Sequence, residues 1–324
     1  MTTARGWRTA REVTGPFTIR REDIGPLNEV FSEAFTERYR RDGMVGVRVP
    51  YLNPLVWRYA IDDAGEGAML WRGENGEIVA FNIAHMSGVE GWMGPLAVMP
   101  EAQGTGIGKV IVRAGMDWLV ARGARVLGLE TMPRTMDNIG FYSALGFQPH
   151  RLTITLTVEA LGQQRPARLL GRLASSARHA TMDAIRALTE RVQPGYDFTR
   201  EIELTESLSL GDTVLLERSG KLVGFALCHS VPLVEGRARD ELRVLKMVLE
   251  DEGLASGMMT AVADFARRSG TRRAAVRVQG EYTDAYRQLV GVGGRVRWTD
   301  LRMTLAGYEE REPTSGMVLS NWEI

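Results

Sequence analysis

The sequence predicts an α/β (α+β) protein made of two tandem units, and three observations predict it. At 324 residues the chain is about twice the length of a typical domain. Through the first half, short runs with strand periodicity alternate with amphipathic helical stretches. From about residue 195 the same succession returns: an offset of 147 positions lays Gly106 on Gly253, Trp118 on Phe265 and Gly123 on Gly270.

Taken in order, Phe17 to Arg20 reads as a short strand, and Ile24, Leu27, Val30, Phe31 and Phe35 mark one face of a helix. Pro50, Tyr51, Pro54 and Trp57 belong to a loop leading into a second helix that ends near Asp62, with Tyr51 and Trp57 expected as packing aromatics. Ala68 to Arg72 and Glu77 to Met86 flank Gly73-Glu74-Asn75-Gly76 as a hairpin, and Gly91 to Met99 is the next strand. Ile107, Ile111, Ala114 and Trp118 share a helix face that breaks at Gly123. Val126 to Met132 follows as a strand, then a short helix around Tyr142. The alternation of Leu152, Ile154, Leu156 and Val158 with threonines closes the unit as a half-buried strand. These boundaries give a first domain over 1–160. A helical linker is expected over 161–194, a second domain over 195–309 and a tail over 310–324. In the second domain Thr213 to Glu217, Lys221 to Ser230, Leu242 to Leu249 and Arg273 to Val278 read as strands and Gly253 to Ser269 as a helix.

Composition narrows the function classes. Hydrophobic residues are 44% and charged residues 25%, as in a soluble globular protein. Lys plus Arg equals Asp plus Glu at 40 each, so no broad basic field invites nucleic acid or an anionic membrane, and neither partner is expected. The lone Cys228 excludes an intramolecular disulfide, and four histidines without metal-ligand spacing predict no metal. Met1 to Glu12 carries arginines without a following apolar run, so a cytoplasmic location is expected.

The chemistry concentrates in Leu96 to Gly108, Leu-Ala-Val-Met-Pro-Glu-Ala-Gln-Gly-Thr-Gly-Ile-Gly, a strand end and glycine-rich turn that opens a helix. Glycines let the backbone approach a ligand closely, and free amides at a helix start suit phosphate. A P-loop would need Gly at Gln103 and Ser or Thr at Val110, and both positions fail; the dinucleotide spacing fails as well. What fits is Gln-x-x-Gly-x-Gly over Gln103, Gly106 and Gly108. It resembles the acyl-CoA motif of the GNAT superfamily of N-acetyltransferases. Asn138 to Phe147, with Phe141-Tyr142-Ser143-Ala144-Leu145-Gly146-Phe147, is similar to that superfamily's closing Phe-Tyr-x-x-Leu-Gly-Phe.

The resemblance implies two tandem domains, each a mixed, mostly antiparallel central sheet flanked by helices. It implies acetyl-CoA as co-substrate, with Leu96, Ala97 and Val98 pairing its pantetheine arm and Gln103, Gly104, Thr105, Gly106, Ile107, Gly108 and Lys109 around its pyrophosphate. Tyr142 matches the superfamily's general acid. Asn138, a weaker cofactor contact, stands with Thr135 where relatives carry Ala and Asn. Glu130 is the first candidate for general base, ahead of Glu90 and His85. In the second copy Glu250, Asp251 and Glu252 replace the amides and glycines of the loop, and carboxylates repel phosphate, so CoA binding is expected only in the first. The expected activity is direct N-acetylation of a primary amine, of a small molecule, with a non-catalytic acyl-CoA sensor as the alternative. The second copy is expected to cover the acceptor pocket or carry a homodimer interface.

Overall fold

The computed structural model describes residues 13–162 and 166–323. The amino-terminal stretch Met1 to Glu12 lies outside the described residues, as do 163–165 and Ile324. The first copy runs β1 (Thr14–Thr18), α1 (Ile24–Arg41), α2 (Pro54–Ala64), β2 (Ala68–Arg72), β3 (Ile78–Ser87), β4 (Glu90–Val98), α3 (Ile107–Ala121), β5 (Val126–Thr131), α4 (Met136–Ser143) and β6 (Phe147–Glu159). The second runs β7 (Arg168–Leu169), α5 (Ser175–Val192), α6 (Thr199–Ser207), β8 (Gly211–Arg218), β9 (Lys221–His229) and β10 (Glu241–Leu249). It continues through α7 (Ala255–Arg268), β11 (Arg273–Gln279), α8 (Thr283–Gly291) and β12 (Arg295–Leu305), and β13 (Met317–Ser320) follows.

The stretch expected as a helical linker holds a strand as well as a helix. β7 pairs with β8 as β1 pairs with β2, and α5 packs on β9 as α1 packs on β3. Two residues are too few for an alternating pattern to show in sequence.

Packing follows the period of two. In β3, Ala80 and Ala84 face α3, where Ile107, Ile111 and Leu119 are buried, while Phe81 and Ile83 face Leu27 and Val30 of α1 and Trp57 and Ala60 of α2. A strand covered on both faces is mostly apolar, and its buried polar residues find partners: Asn82 Nδ2 donates to the Ile111 carbonyl at 2.9 Å, His85 bonds Asp63 and Ser87 donates to Glu201.

The two copies do not keep separate sheets. Their strands form one sheet in the order β1-β2-β3-β4-β5-β12-β6-β11-β10-β9-β8-β7, with β13 against β10. β12, from the second copy, pairs antiparallel with β5 at Leu301↔Thr131 and Arg302↔Glu130. β6, from the first, pairs antiparallel with β11 from Glu159↔Arg273 to Thr153↔Gln279. The last strand of each copy thus lies beside the other copy's strands, and β6 and β12 pair with each other at the crossing. The alternation in Leu152 to Val158 reports a half-buried strand but not which neighbour it takes.

Each copy also contains a splay. β4 pairs parallel with β5 only from Glu90↔Val126 to Met93↔Leu129. Next comes Pro95, which has no N–H to donate, and the pairing with β3 slips between Asn82 and Ala84, so β4 turns away from β5. β10 leaves β11 after Arg243↔Ala275, with a similar slip against β9 between Val244 and Lys246. There, however, β13 fills the gap, pairing antiparallel along Lys246 to Leu249.

Candidate functional site

A cavity of about 580 Å³ opens in the first copy's splay, bounded by β4, the glycine loop, α3, α4 and the end of α1. Of the residues expected around a phosphate-bearing ligand, Leu96, Ala97, Val98, Gln103, Gly104, Gly106, Gly108, Lys109, Asn138 and Tyr142 line it. Two do not: Ile107 is buried in the core, and the Thr105 hydroxyl donates to the Ala102 carbonyl at 2.7 Å.

The loop is built to present backbone. Gly104 and Gly106 adopt φ of +81° and +97°, a region that favours glycine, with no atoms within 4 Å of where a Cβ would stand. Gln103 donates from Nε2 to the Val98 carbonyl at 2.9 Å, fastening the loop to the strand end. Gly106 is the residue before the first turn of α3, so the amides of that turn face the cavity mouth together with the exposed Lys109. Arg38 and Arg41 reach the same cavity from α1, and no local motif marks them in the sequence.

Across α4 lies a second cavity of about 310 Å³, between the first copy and strand β12. Tyr142, Leu96, Phe35, Arg38 and Asn138 line both. Tyr142 thus stands at the junction, its ring edge-on to Phe141 and Phe147 at centroid distances of 5.1 and 6.1 Å. Burial pushes its phenol well above the ordinary value, so the hydroxyl keeps its proton throughout the neutral range. Asn138 reaches Thr131 on β5 (3.4 Å), while Thr135 is fully buried and bonded to Asp42 (2.8 Å), away from both cavities.

Glu130 also lines the second cavity, but its bonds bind it elsewhere. It accepts from Thr153 Oγ1 (2.5 Å), Arg277 (2.5 Å) and Arg302 (3.0 Å). Burial works against its charge, yet the two guanidiniums outweigh burial and hold its carboxyl down at about 2. A carboxylate so weakly basic is a poor proton acceptor near neutrality. The other two base candidates line neither cavity. Glu90 is enclosed by Trp322 Nε1 (2.8 Å), Ser320 Oγ (2.7 Å) and Lys246 (3.7 Å). His85 lies between Asp63 (2.6 Å) and the Gly94 carbonyl (3.2 Å), stacked on Trp92. Asp300, Glu323, Trp298 and Trp322 complete the second cavity. No spacing in the sequence marks them, since the strand exchange and the returning tail bring them there.

The second copy has no matching opening. Its loop is shorter, from Leu249 to Ala255 against Val98 to Ile107, so the three carboxylates replace a loop that has itself contracted. Each has a structural partner: Glu250 with Arg191 and Lys221, Asp251 with the Gly253 amide, and Glu252 with the Ala285 amide at the start of α8. The position 147 residues beyond Tyr142 is Leu289, buried in the core. Among the described residues no group of three His, Cys, Asp or Glu side chains is placed to hold a metal, and no helix is long and apolar enough to cross a membrane.

Comparison with known proteins agrees with this geometry. Residues 28–147 match the model of the Acetyltransferase (GNAT) family. A proposed acetyltransferase of Pyrococcus horikoshii has a similar structure at 14% identity and a TM-score of 0.67, covering 99% of this chain and 98% of that one. A tandem GNAT protein from the clavulanic acid biosynthesis pathway is similar at 12% identity and a TM-score of 0.58, over 90% of this chain and 98% of that one. Saccharomyces cerevisiae N-myristoyltransferase, solved with myristoyl-CoA bound, is similar at 11% identity and a TM-score of 0.64, over 94% of this chain and 80% of that one. At such identities the likeness is one of fold. The curated proteins contain no match to this chain.

Proposed function

We propose that this chain, whose residues 28–147 match the Acetyltransferase (GNAT) family, is a tandem GNAT protein and an acetyl-CoA-dependent N-acetyltransferase working in its first copy. The acceptor is a primary amine of a small molecule, and transfer is direct, with both substrates bound together. One observation carries the reading. Tyr142 lines both the glycine-loop cavity and the cavity beside it, so a donor in the first and an acceptor in the second would meet at one protonated phenol.

The donor's fit rests on the unpaired edge of β4 beyond Met93 and on the open, positive-φ turn at Gly104 and Gly106. Leu96 to Val98 would hold the pantetheine arm as an added strand, and the loop amides with Lys109, Arg38 and Arg41 would hold the phosphates. The thioester supplies an activated acyl group. The Val98 amide would serve its carbonyl oxygen, and Tyr142 would give the departing sulfur a proton.

The deciding experiment is calorimetric titration of acetyl-CoA into the wild type and into Gly106→Glu, with mass-spectrometric detection of acetylated amines in parallel. One site per chain, lost in the variant, together with acetylated product, supports the assignment. Unchanged binding in Gly106→Glu removes the cradle, and binding without transfer to any amine replaces the enzyme with an acyl-CoA sensor.

A further inference from the structure

The second cavity is acidic, aromatic and closed on one side by the other copy. One guanidinium, Arg277 of β11, touches three carboxylates: Glu130 of β5 at 2.5 Å, Asp300 of β12 at 3.0 Å and Glu323 of the tail at 2.7 Å. The remaining cations nearby are engaged. Arg302 is shared between Glu130 and Glu310, and Arg38 between Asp42 and Asp137. Arg134 lies over the Trp298 ring, and Tyr39 lines the same cavity within reach of the charges of Glu323 and Asp300. Arg243 acts on Glu323 through space, and Thr153 opposes Asp300 on β6. Glu130, Asp300 and Glu323 line the cavity against one lining cation, Arg38, while Phe31, Trp298 and Trp322 supply aromatic surface. A guest with a positive charge and an apolar body satisfies both features.

The three carboxylates are not equivalent. Glu130 already serves three partners. Glu323 lies past the last strand with its side chain 51% exposed. Asp300 is 2% exposed on a strand held from both sides, and Trp298 Nε1 (3.1 Å) and Arg277 (3.0 Å) orient its two oxygens separately.

Resting on the proposed donor site, we infer that Asp300, a second-copy residue, is the carboxylate that receives the acceptor's proton in the first copy's cavity, and that the acceptor is an arylalkyl primary ammonium. The step balances. The ammonium gives one proton to Asp300; the freed nitrogen pair forms the C–N bond as the C–S bond breaks. Sulfur leaves with the electron pair and takes the Tyr142 proton, and the nitrogen's extra proton restores the phenol. Burial, and then the charge of Glu323, raise the Asp300 carboxyl to about 7 against the pull of Arg277, a value suited to exchange near neutrality.

The test uses the full chain saturated with CoA and a panel of arylalkyl amines, 2-phenylethylamine first, each beside its alcohol twin, titrated calorimetrically. Expected is a preference for amine over alcohol of about tenfold or more, falling to near parity in Asp300→Asn and only partly reduced in Glu323→Gln. The acid limb of the kcat/KM profile near pH 7 should disappear with Asp300→Asn. Equal binding of amine and alcohol, no binding by any member, or a preference surviving Asp300→Asn would overturn the inference. Should Asp300→Asn not fold, the wild-type preference and its partial loss in Glu323→Gln decide. Acetyl-CoA affinity is measured on every variant. Its absence in the wild type would overturn the donor assignment instead, and its persistence with failed amine selectivity would overturn only the acceptor assignment.

Discussion

Tyr142 is held by packing: Phe141 and Phe147 flank its ring, and the residue lines both cavities. Tyr142→Phe removes the proton without the ring, so kcat should fall by about 10²-fold while acetyl-CoA affinity stays within about twofold, measured by steady-state kinetics and titration. An equal loss of affinity would mark the residue as packing. A second residue reports on the contact between the copies. Glu201 of α6 accepts from Ser87 of β3, and burial, with the nearby charge of Asp63, raises its carboxyl from the usual 4.5 to about 8. The folded state therefore binds the proton more tightly than the unfolded chain. The stability gained is complete below about pH 4.5 and is lost as pH rises through 8. Glu201→Gln should match the wild type in thermal midpoint in acid and exceed it by several degrees above pH 8; a constant difference would refute the buried titration. Residue by residue, the sequence is legible where chemistry is local. Gln103, Gly106, Gly108 and Tyr142 lie on short motifs that resemble those of a known family, and Gly104 lies inside the first of them. Asp300 lies 158 positions from Tyr142, and only the strand exchange brings it to the same cavity.

Among the elements, β13 and the turn after it do the most with the least length. The strand lies along β10, and Trp322 then packs under the Arg302 guanidinium at 3.8 Å with its Nε1 on Glu90. Gly128 of β5 makes room for that ring: a Cβ there would stand 2.3 Å from Trp322 Cζ3. Gly128→Val should displace the tail, at an overpacking penalty of about 1–3 kcal/mol. Amide exchange over 317–323 should accelerate more than in α1, and uniform acceleration would argue against a local release. Of the elements, the long ones declare themselves by period. β7, with two residues, and β13, with four, are too short to carry a pattern, and the shorter second loop breaks the constant offset just upstream of α7.

As a whole, the molecule has one sheet where the repeat led to an expectation of two. Neither copy holds its β5- or β11-equivalent strand against its own last strand, so neither is complete alone. The full chain should unfold in a single calorimetric transition with equal van't Hoff and calorimetric enthalpies, and residues 1–162 expressed alone should aggregate; two resolved transitions or a soluble, exchange-protected half would show independent domains. Order of synthesis adds a last consequence. The glycine loop and Tyr142 leave the ribosome early, but the gap between β5 and β6 stays open until Leu305 has been made. At common elongation rates that leaves the half bearing the proposed donor site unfinished for on the order of ten seconds, with two bare strand edges exposed to chaperones and to neighbouring nascent chains.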